Sequence, residues 1–137
     1  MPSQIFVSAD IIVEKGDKIL LIRRGVPPFK GKLALPGGHI DPKDKNIEHT
    51  AVRETKEETS LSVKLTHLLN VYSSPDRDPR GYSMAVAFVA KPVKGKPKAA
   101  SDALSLNWYY PNILRKNMLA FDHYDIITDY LRWKKKR

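Results

Sequence analysis

Stretches in which apolar and polar residues alternate run through much of the chain and predict β-strands, because successive side chains of a strand point to opposite faces. A turn around Gly16 separates the first two stretches and is typical of a hairpin. We predict strands over residues 5–13, 18–24, 63–71, 82–89 and 107–110. The basic run 91–98, which is punctuated by proline and glycine, is typical of an exposed loop between strands.

Helices are predicted in three other stretches. Residues 47–59 predict a helix with Asn46 or Asp44 as its N-cap, because either side chain can accept a hydrogen bond from the first turn. A short helix is expected over residues 111–116, and a terminal helix is expected from about His123. Strands and helices mixed in this order predict an α/β sandwich. No repeat or linker divides the chain, so we expect a single domain over residues 1–137.

The longest predicted helix carries three glutamates on one face. Glu54, Glu57 and Glu58 are spaced i, i+3 and i+4, which places neighbouring side chains about 5–6 Å apart. Carboxylate oxygens are preferred ligands of Mg²⁺, so this face is a candidate site for a divalent cation held against a phosphate. The alternative is a solvated helix face on which Arg53 and Glu57 form an ordinary ion pair. A glycine pair at 37–38, between a predicted strand and this helix, favours the metal site.

This constellation resembles the signature of the Nudix hydrolase family, in which a glycine loop leads into Arg-Glu-apolar-x-Glu-Glu-x-Gly-apolar. The residues that match its helical positions are Arg53, Glu54, Glu57, Glu58 and Leu61. The resemblance implies a Nudix-like α/β/α sandwich with a mixed β-sheet. It also implies a metal site made by the Gly38 carbonyl with the three glutamates, which Arg53 would orient by salt bridging. Mg²⁺ is the implied cofactor, with Mn²⁺ as the alternative.

The sequence departs from the signature in three places. Thr55 stands at an apolar position, and Ser60 stands where a glycine usually ends the helix. If Ser60 keeps the left-handed geometry of that glycine, the cost is about 1 kcal/mol. The loop after Gly38 is one residue longer, so the first glutamate of the signature falls on Asp44 or on Lys45. Asp44 is the better functional substitute, because it is the acidic one.

The region after the signature resembles the ADP-ribose pyrophosphatase branch of the family, through Pro75, the loop 77–81 and the segment 119–123. This resemblance implies hydrolysis of ADP-ribose to AMP and ribose 5-phosphate, with Pro75, Arg77 and Arg80 binding the substrate. Guanidinium groups suit that role because they pair with phosphate oxygens through two parallel bonds. The alternative for this loop is an ordinary surface turn stabilised by local hydrogen bonds.

The general base, the substrate and the choice between an enzyme and a sensor each have alternatives. The family often takes its general base from a later loop, where Asp102 is the candidate; a turn or cap role for Asp102, or water activation by Glu57, are the alternatives. The substrate could instead be a nucleoside triphosphate, a dinucleoside polyphosphate or an RNA 5′ end. A non-catalytic sensor would bind ADP-ribose without cleaving it. The three helix glutamates favour an enzyme over a sensor. The resemblance to this branch also implies a possible homodimer, because its members often dimerise.

Composition and charge restrict the chemistry, the location and the partners that we expect for this chain. The chain has 137 residues, of which 42% are hydrophobic, no cysteine and a formal net charge of +9. The lack of cysteine excludes disulfides and thiolate chemistry and fits a cytoplasmic location. We find neither a membrane-length apolar stretch nor a signal-like start. The charge favours a small anionic nucleotide as partner. We interpret the basic tail 132–137 as a solvated helix end rather than an RNA-binding tail, since neither basic run interleaves aromatic residues with cations.

Overall fold

The computed structural model describes residues 4–137; the first residues, on which the expected lack of a secretory signal partly rests, lie outside this range. Its strands and helices, in chain order, are β1 (Phe6–Lys15), β2 (Lys18–Arg24), β3 (Leu33–Ala34), β4 (Gly37–His39), α1 (Ile47–Thr59), β5 (Ser62–Tyr72), β6 (Ser83–Lys94), β7 (Ala103–Tyr109) and α2 (His123–Lys135). Two 3₁₀ turns, Pro111–Ile113 and Lys116–Met118, precede α2. Within residues 4–137, no helix has the length and apolar character needed to cross a membrane.

The strands form one mixed sheet of seven strands with β1 in its middle. The order is β3, β2, β1, β6 and β5, while β4 pairs with β1 and β7 pairs with β2. β1 runs parallel to β6 and antiparallel to its other neighbours. On the side of β1 away from β6, the C-terminal end of β1 pairs with β2, whereas Ser8, Ala9 and Asp10 pair with β4. This split pairing brings the glycine strand β4 beside Asp10.

Apolar side chains cover both faces of the sheet, because β1 alternates between them. The cluster on the side of α1 contains Ala9, Ile11, Val13, Leu20, Ala51, Leu61, Val63, Phe88 and Ala90. The cluster on the side of α2 contains Ile12, Ile19, Leu21, Leu33, Leu35, Ala87, Val89, Leu114, Leu119, Ile126, Ile127 and Tyr130. With one helix packed on each face, the predicted α/β/α sandwich with a mixed sheet is confirmed.

The local elements differ from the predictions where strand pairing extends β6 and β7 and in the short helix before α2. The helix predicted over 47–59 has those bounds, and Asn46 is its N-cap. The loop predicted over 91–98 is wrong in its first half, because β6 continues to Lys94 through pairing with β5. β7 starts earlier than predicted, at Ala103, because it pairs with β2. The short helix predicted over 111–116 is replaced by the two 3₁₀ turns.

Candidate active site

Helix α1 buries one face, and its three signature glutamates lie outside that buried face. Its N-cap Asn46 accepts a hydrogen bond from the His49 backbone N–H at 2.8 Å. The residues buried by the helix are Thr50, Ala51, Thr55 and Thr59. Thr55 replaces an apolar residue of the signature, and its hydroxyl donates to the Ala51 carbonyl at 2.8 Å. Its burial therefore leaves no unpaired hydroxyl, and the departure at this position is compatible with the fold.

Arg53 connects the acidic face of α1 to the loop that precedes the helix. Its Nε and Nη2 donate to the two carboxylate oxygens of Asp44 at 2.8 and 2.9 Å. Its Nη1 donates to Glu54 at 2.8 Å and to Glu57 at 2.9 Å. The bond to Asp44 raises the pKa of Arg53 despite its partial burial. One permanently charged guanidinium thus contacts three carboxylates.

Asp44, and not Lys45, is the partner of Arg53. The Asp44 side chain is only 1% exposed, and it also accepts hydrogen bonds from the Thr50 hydroxyl at 2.7 Å and the Asp41 N–H at 3.0 Å. The Arg53 guanidinium holds the pKa of the Asp44 carboxyl well below its usual range. Lys45 contributes a backbone N–H to the His49 ring. The longer loop therefore places a charged carboxylate where it fixes the orientation of Arg53.

Glu54 and Glu58 lie against the glycine strand β4. The Gly37 N–H donates to Glu58 at 2.8 Å, and a Cβ at Gly38 would overlap the Glu54 carboxylate. Burial raises the pKa of Glu58 to about 8, although the Gly37 N–H opposes the shift. Burial also raises the pKa of Glu54, against the attraction of Arg53. Both carboxyl groups are desolvated, whereas Glu57 has a side chain that is 48% exposed.

Glu58 opens onto a cavity beside β1 and β4. The residues that line it are Ser8, Asp10, Arg24, Leu35, Gly37, Gly38, His39, Glu58, Arg77, Asp78, Arg80, Phe121 and His123. Burial, followed by repulsion from Arg80, lowers the pKa of Arg24. Burial and Arg80 also lower the pKa of His39. The cavity thus combines desolvated carboxylates with two mutually repelling guanidinium groups, a combination that favours an anionic ligand accompanied by a cation.

The two arginines predicted to bind substrate have different surroundings. Arg77 has a side chain that is 4% exposed, and it donates to Asp122 at 2.8 and 2.9 Å and to Ser83 at 2.7 Å. Arg80 is 47% exposed, pairs with Asp78 at 2.9 Å and lies 5.5 Å from the centre of the Phe121 ring. Arg80 is accessible to a ligand, whereas Arg77 holds its loop to the rest of the fold.

Pro75 and Asp102 do not line the cavity. Pro75 is exposed in the turn that leads to Arg77. Asp102 accepts a hydrogen bond at its backbone carbonyl from Gly25 at 2.8 Å. The loop before Asp102 is also bonded to the end of α1, through the Ala100 N–H and the Glu58 carbonyl at 3.0 Å. Asp102 is therefore held near the carboxylate helix without facing the cavity, and the roles of both residues stay predictions.

Asp10 and Arg24 line the cavity and were not candidates in the sequence, and Phe121, which belongs to the segment 119–123, was given no role there. A carboxylate inside an otherwise apolar strand is an unusual feature and could have identified Asp10. Arg24 ends β2, and its guanidinium lies 5.0 Å from the centre of the Phe121 ring. Phe121 has a φ of 52°, a backbone conformation that residues other than glycine rarely adopt. No sequence pattern reveals that backbone angle.

The chemistry of the donor set fits a divalent cation. Carboxylate and backbone carbonyl oxygens are the ligands that Mg²⁺ prefers, and a cation would compensate for the lost hydration of Glu54 and Glu58. Within residues 4–137, no group of three or more acidic or histidine side chains is already gathered at metal-binding distance. Arg53 bonds the Oε1 of Glu54 and both carboxylate oxygens of Glu57, while the Oε2 of Glu54 lies beside Gly38.

Comparison with known proteins identifies the family. The NUDIX domain model matches residues 5–130. An ADP-ribose pyrophosphatase from Methanocaldococcus jannaschii is 50% identical over 93% of this chain and 74% of that protein. The ADPR responsive transcriptional repressor NtrR of Acinetobacter baylyi is 32% identical over 84% of this chain and 47% of that protein. The solved NUDIX domain of Shewanella oneidensis NrtR, complexed with ADP ribose, is 26% identical with a TM-score of 0.80, over 96% of this chain and 89% of that chain. The chain therefore belongs to the Nudix family.

Proposed function

We propose that this protein hydrolyses ADP-ribose to AMP and ribose 5-phosphate with the help of a divalent cation. The main support for the proposal is a cavity in which Glu58 of α1 and the glycine strand β4 adjoin Arg24, Arg80 and Phe121. Such a cavity can hold a diphosphate between a cation and guanidinium groups. The 50% identity to the Methanocaldococcus jannaschii ADP-ribose pyrophosphatase supports ADP-ribose as the substrate.

The helix carboxylates have distinct tasks in this proposal. Glu54, Glu57 and Glu58, with the Gly38 carbonyl, would hold Mg²⁺ or Mn²⁺. The cation would neutralise diphosphate oxygens and lower the pKa of water. Arg53 orients Glu54 and Glu57 through its salt bridges, and Asp44 fixes Arg53 in turn. On the other side of the substrate, Arg80 would pair with phosphate oxygens because its side chain is accessible.

The attacking water needs a proton acceptor, and two residues are candidates. Among the three signature glutamates, Glu57 has the most accessible carboxylate, and it is held only 2.9 Å from Arg53. Asp102 lies outside the cavity lining, but its loop is bonded to the end of α1. If Asp102 is the base, Asp102→Asn should lower kcat severely and flatten the acidic limb of the pH profile. If Glu57 is the base, Asp102→Asn should have little effect.

Product analysis tests the proposed function. Purified protein is incubated with Mg²⁺ and ADP-ribose, NADH, diadenosine polyphosphates, nucleoside triphosphates or triphosphorylated RNA, and products are separated by ion-exchange chromatography. AMP should be released preferentially from ADP-ribose. Glu57→Gln should abolish this release, whereas Glu48→Gln, which removes an exposed carboxylate from the first turn of the same helix, should not.

The other outcomes correspond to the alternative functions. Faster cleavage of another compound would keep the chemistry and replace the substrate. Binding of ADP-ribose without turnover would indicate a sensor, a function supported by the similarity to the ADPR responsive repressor NtrR. The homodimer, the single-domain organisation and the cytoplasmic location stay predictions from the sequence, and light scattering after size-exclusion chromatography tests the first of them.

A further inference from the structure

A second surface gathers cations that the proposed hydrolysis does not use. A depression that we call the basic groove is lined by Thr66, His67, Lys91, Trp133 and Arg137. An adjoining depression shares Lys91 and Arg137 with it, and adds Lys15 and Lys134. The cations come from β1, β6, α2 and the residues after α2, which are distant in the sequence. Folding therefore assembles a positive surface that the two basic runs do not reveal separately.

Most cations of this surface have no acidic partner. In the part of the chain that the structure describes, the ion pairs do not include Lys15, Lys64, Lys91 or Arg137. Lys64 lies directly opposite Lys91 in the pairing of β5 with β6, and directly opposed like charges repel. Glu14 borders the adjoining depression but is already bonded by Tyr130 and Lys134. A bound polyanion would relieve this repulsion.

Trp133 adds an aromatic surface to the basic groove. Its ring stacks on His67 with centroids 4.4 Å apart and planes 12° apart. The Arg137 guanidinium lies 4.7 Å from the centre of the Trp133 ring. Aromatic rings beside cations are the combination on which single-stranded nucleic acids bind, because phosphates pair with the cations and every base can stack.

We propose that the basic groove binds single-stranded nucleic acid. Backbone phosphates contact Lys64, Lys91 and Arg137, and a base replaces the Arg137 guanidinium on the Trp133 ring, which His67 supports by stacking. The groove suits this partner better than a membrane surface. Interfacial membrane binding uses a continuous apolar face beside the cations, whereas Trp133 is the one apolar side chain among the residues that line the basic groove.

The basic groove and the catalytic cavity lie at different ends of β1. The cavity uses Ser8 and Asp10, whereas the depression that adjoins the basic groove uses Glu14 and Lys15. The five residue-to-residue steps along the strand from Asp10 to Lys15 span about 17 Å. The proposed nucleic-acid site is therefore independent of the proposed hydrolysis, and changes within it should leave ADP-ribose turnover unaltered.

Fluorescence anisotropy with a labelled uridine oligonucleotide of about 15 nucleotides tests the proposal. Each phosphate contact contributes about 0.7 to the slope of log affinity against log salt. The double variant Lys91→Gln, Arg137→Gln should therefore lower that slope by about 1.4. Between about 50 and 200 mM salt, the unaltered protein should lose about sevenfold more affinity than the variant. The control double variant Lys30→Gln, Arg115→Gln removes the same charge from exposed positions outside the groove and should keep the original slope.

Tryptophan fluorescence tests the base contact separately. The oligonucleotide should quench the fluorescence of the unaltered protein, and the quenching should be absent in Trp133→Phe, which keeps an aromatic ring in place. The proposal is overturned if the control variant changes the salt slope as much as the groove variant. It is also overturned if polyphosphate of matched charge displaces the oligonucleotide without any quenching at Trp133, or if the protein binds phosphatidylglycerol vesicles and not the oligonucleotide.

Discussion

Arg53 forms ion pairs with three carboxylates of the candidate active site and of the loop before it. Its guanidinium contacts Asp44, Glu54 and Glu57 at distances of 2.8 to 2.9 Å. Because Asp44 holds both Nε and Nη2, the remaining Nη1 is directed at the two helix glutamates. A lysine at this position has a single ammonium and could not make the same parallel contacts. Asp44 therefore contacts the candidate metal ligands indirectly, through Arg53.

Asp44→Asn tests this indirect role. The variant keeps the shape of the side chain but loses a charge in the pair with Arg53, so Arg53 and the two glutamates should become less ordered. Changes to residues that orient metal ligands typically lower activity by about 10–100-fold, and we expect kcat to fall in this range. Asp41→Asn is the matched control, because Asp41 is exposed in the same turn. Equal losses in the two variants would contradict the role assigned to Asp44.

The desolvated carboxyl of Glu58 predicts a dependence of stability on pH in metal-free protein. Its folded pKa of about 8 is well above the usual value of 4.5, so the folded state retains a proton that the unfolded state has lost between these values. Stability should therefore fall as pH rises from about 4.5 to 8. Glu58→Gln removes this loss, and at pH 9 in EDTA the variant should be more stable by at least about 1 kcal/mol.

Thermal denaturation at pH 5 and pH 9 measures this difference. Mg²⁺ should stabilise the unaltered protein more than Glu58→Gln at pH 9, because the variant lacks the carboxylate that binds the ion. A difference between the two proteins that does not change with pH would show that Glu58 is not protonated in the folded state.

At the scale of elements, both ends of helix α1 are defined by local side chains. Asn46 caps its first turn, and Ser60 follows its last residue with a φ of 66°. This is the left-handed geometry in which glycine is preferred, so the substitution of serine for glycine costs free energy here. The Ser60 hydroxyl donates to the Lys98 carbonyl at 3.0 Å and joins the helix end to the loop before β7.

A pair of variants separates the backbone cost from the hydrogen bond. Ser60→Gly and Ser60→Ala both lose the hydroxyl, but only glycine relieves the left-handed conformation. The glycine variant should therefore be more stable than the alanine variant by about 1 kcal/mol, as measured by urea unfolding. Equal stabilities would mean that Ser60 does not hold the positive φ in solution.

At the scale of the whole molecule, Arg77 connects parts of the chain that are far apart in sequence. Its guanidinium reaches Asp10 in β1 at 3.5 Å, Ser83 at the start of β6 and Asp122 before α2. Burial lowers the pKa of Arg77, but the bond to Asp122 and the charge of Asp10 outweigh this effect and raise it. The same loop carries Arg80, so Arg77 determines where Arg80 lies relative to the cavity.

Arg77→Lys should therefore lower stability, whereas Arg80→Lys should weaken substrate binding. Disruption of a buried ion pair costs about 3–5 kcal/mol when a charge is left without its partner, and Arg77→Lys should lose a large part of this range because lysine cannot contact all three partners. Arg80→Lys should change stability by less than about 0.5 kcal/mol and raise the KM for ADP-ribose. Urea unfolding and steady-state kinetics measure the two effects. A stable Arg77→Lys protein with a raised KM would assign Arg77 to substrate binding.

Local residue spacing is sufficient to predict most helices and strands and part of the candidate site. Helix α1, its Asn46 cap and its three glutamates follow from residues within one short segment, since helix geometry alone places positions i, i+3 and i+4 together. The choice between Asp44 and Lys45 did not follow from spacing, because the longer loop allowed both alignments. The structure places Asp44 on Arg53.

The α/β class, the acidic helix and, by resemblance, the family follow from the amino-acid sequence, because these depend on local periodicity and on contiguous motifs. The three-dimensional fold was needed to show that Asp10, Arg24 and Phe121 share a cavity with Glu58. Likewise, only folding joins Lys91 to Trp133 in the basic groove. The physical reason is that strand pairing and helix packing bring together residues from distant segments, and the spacing within any one segment carries no information about these contacts.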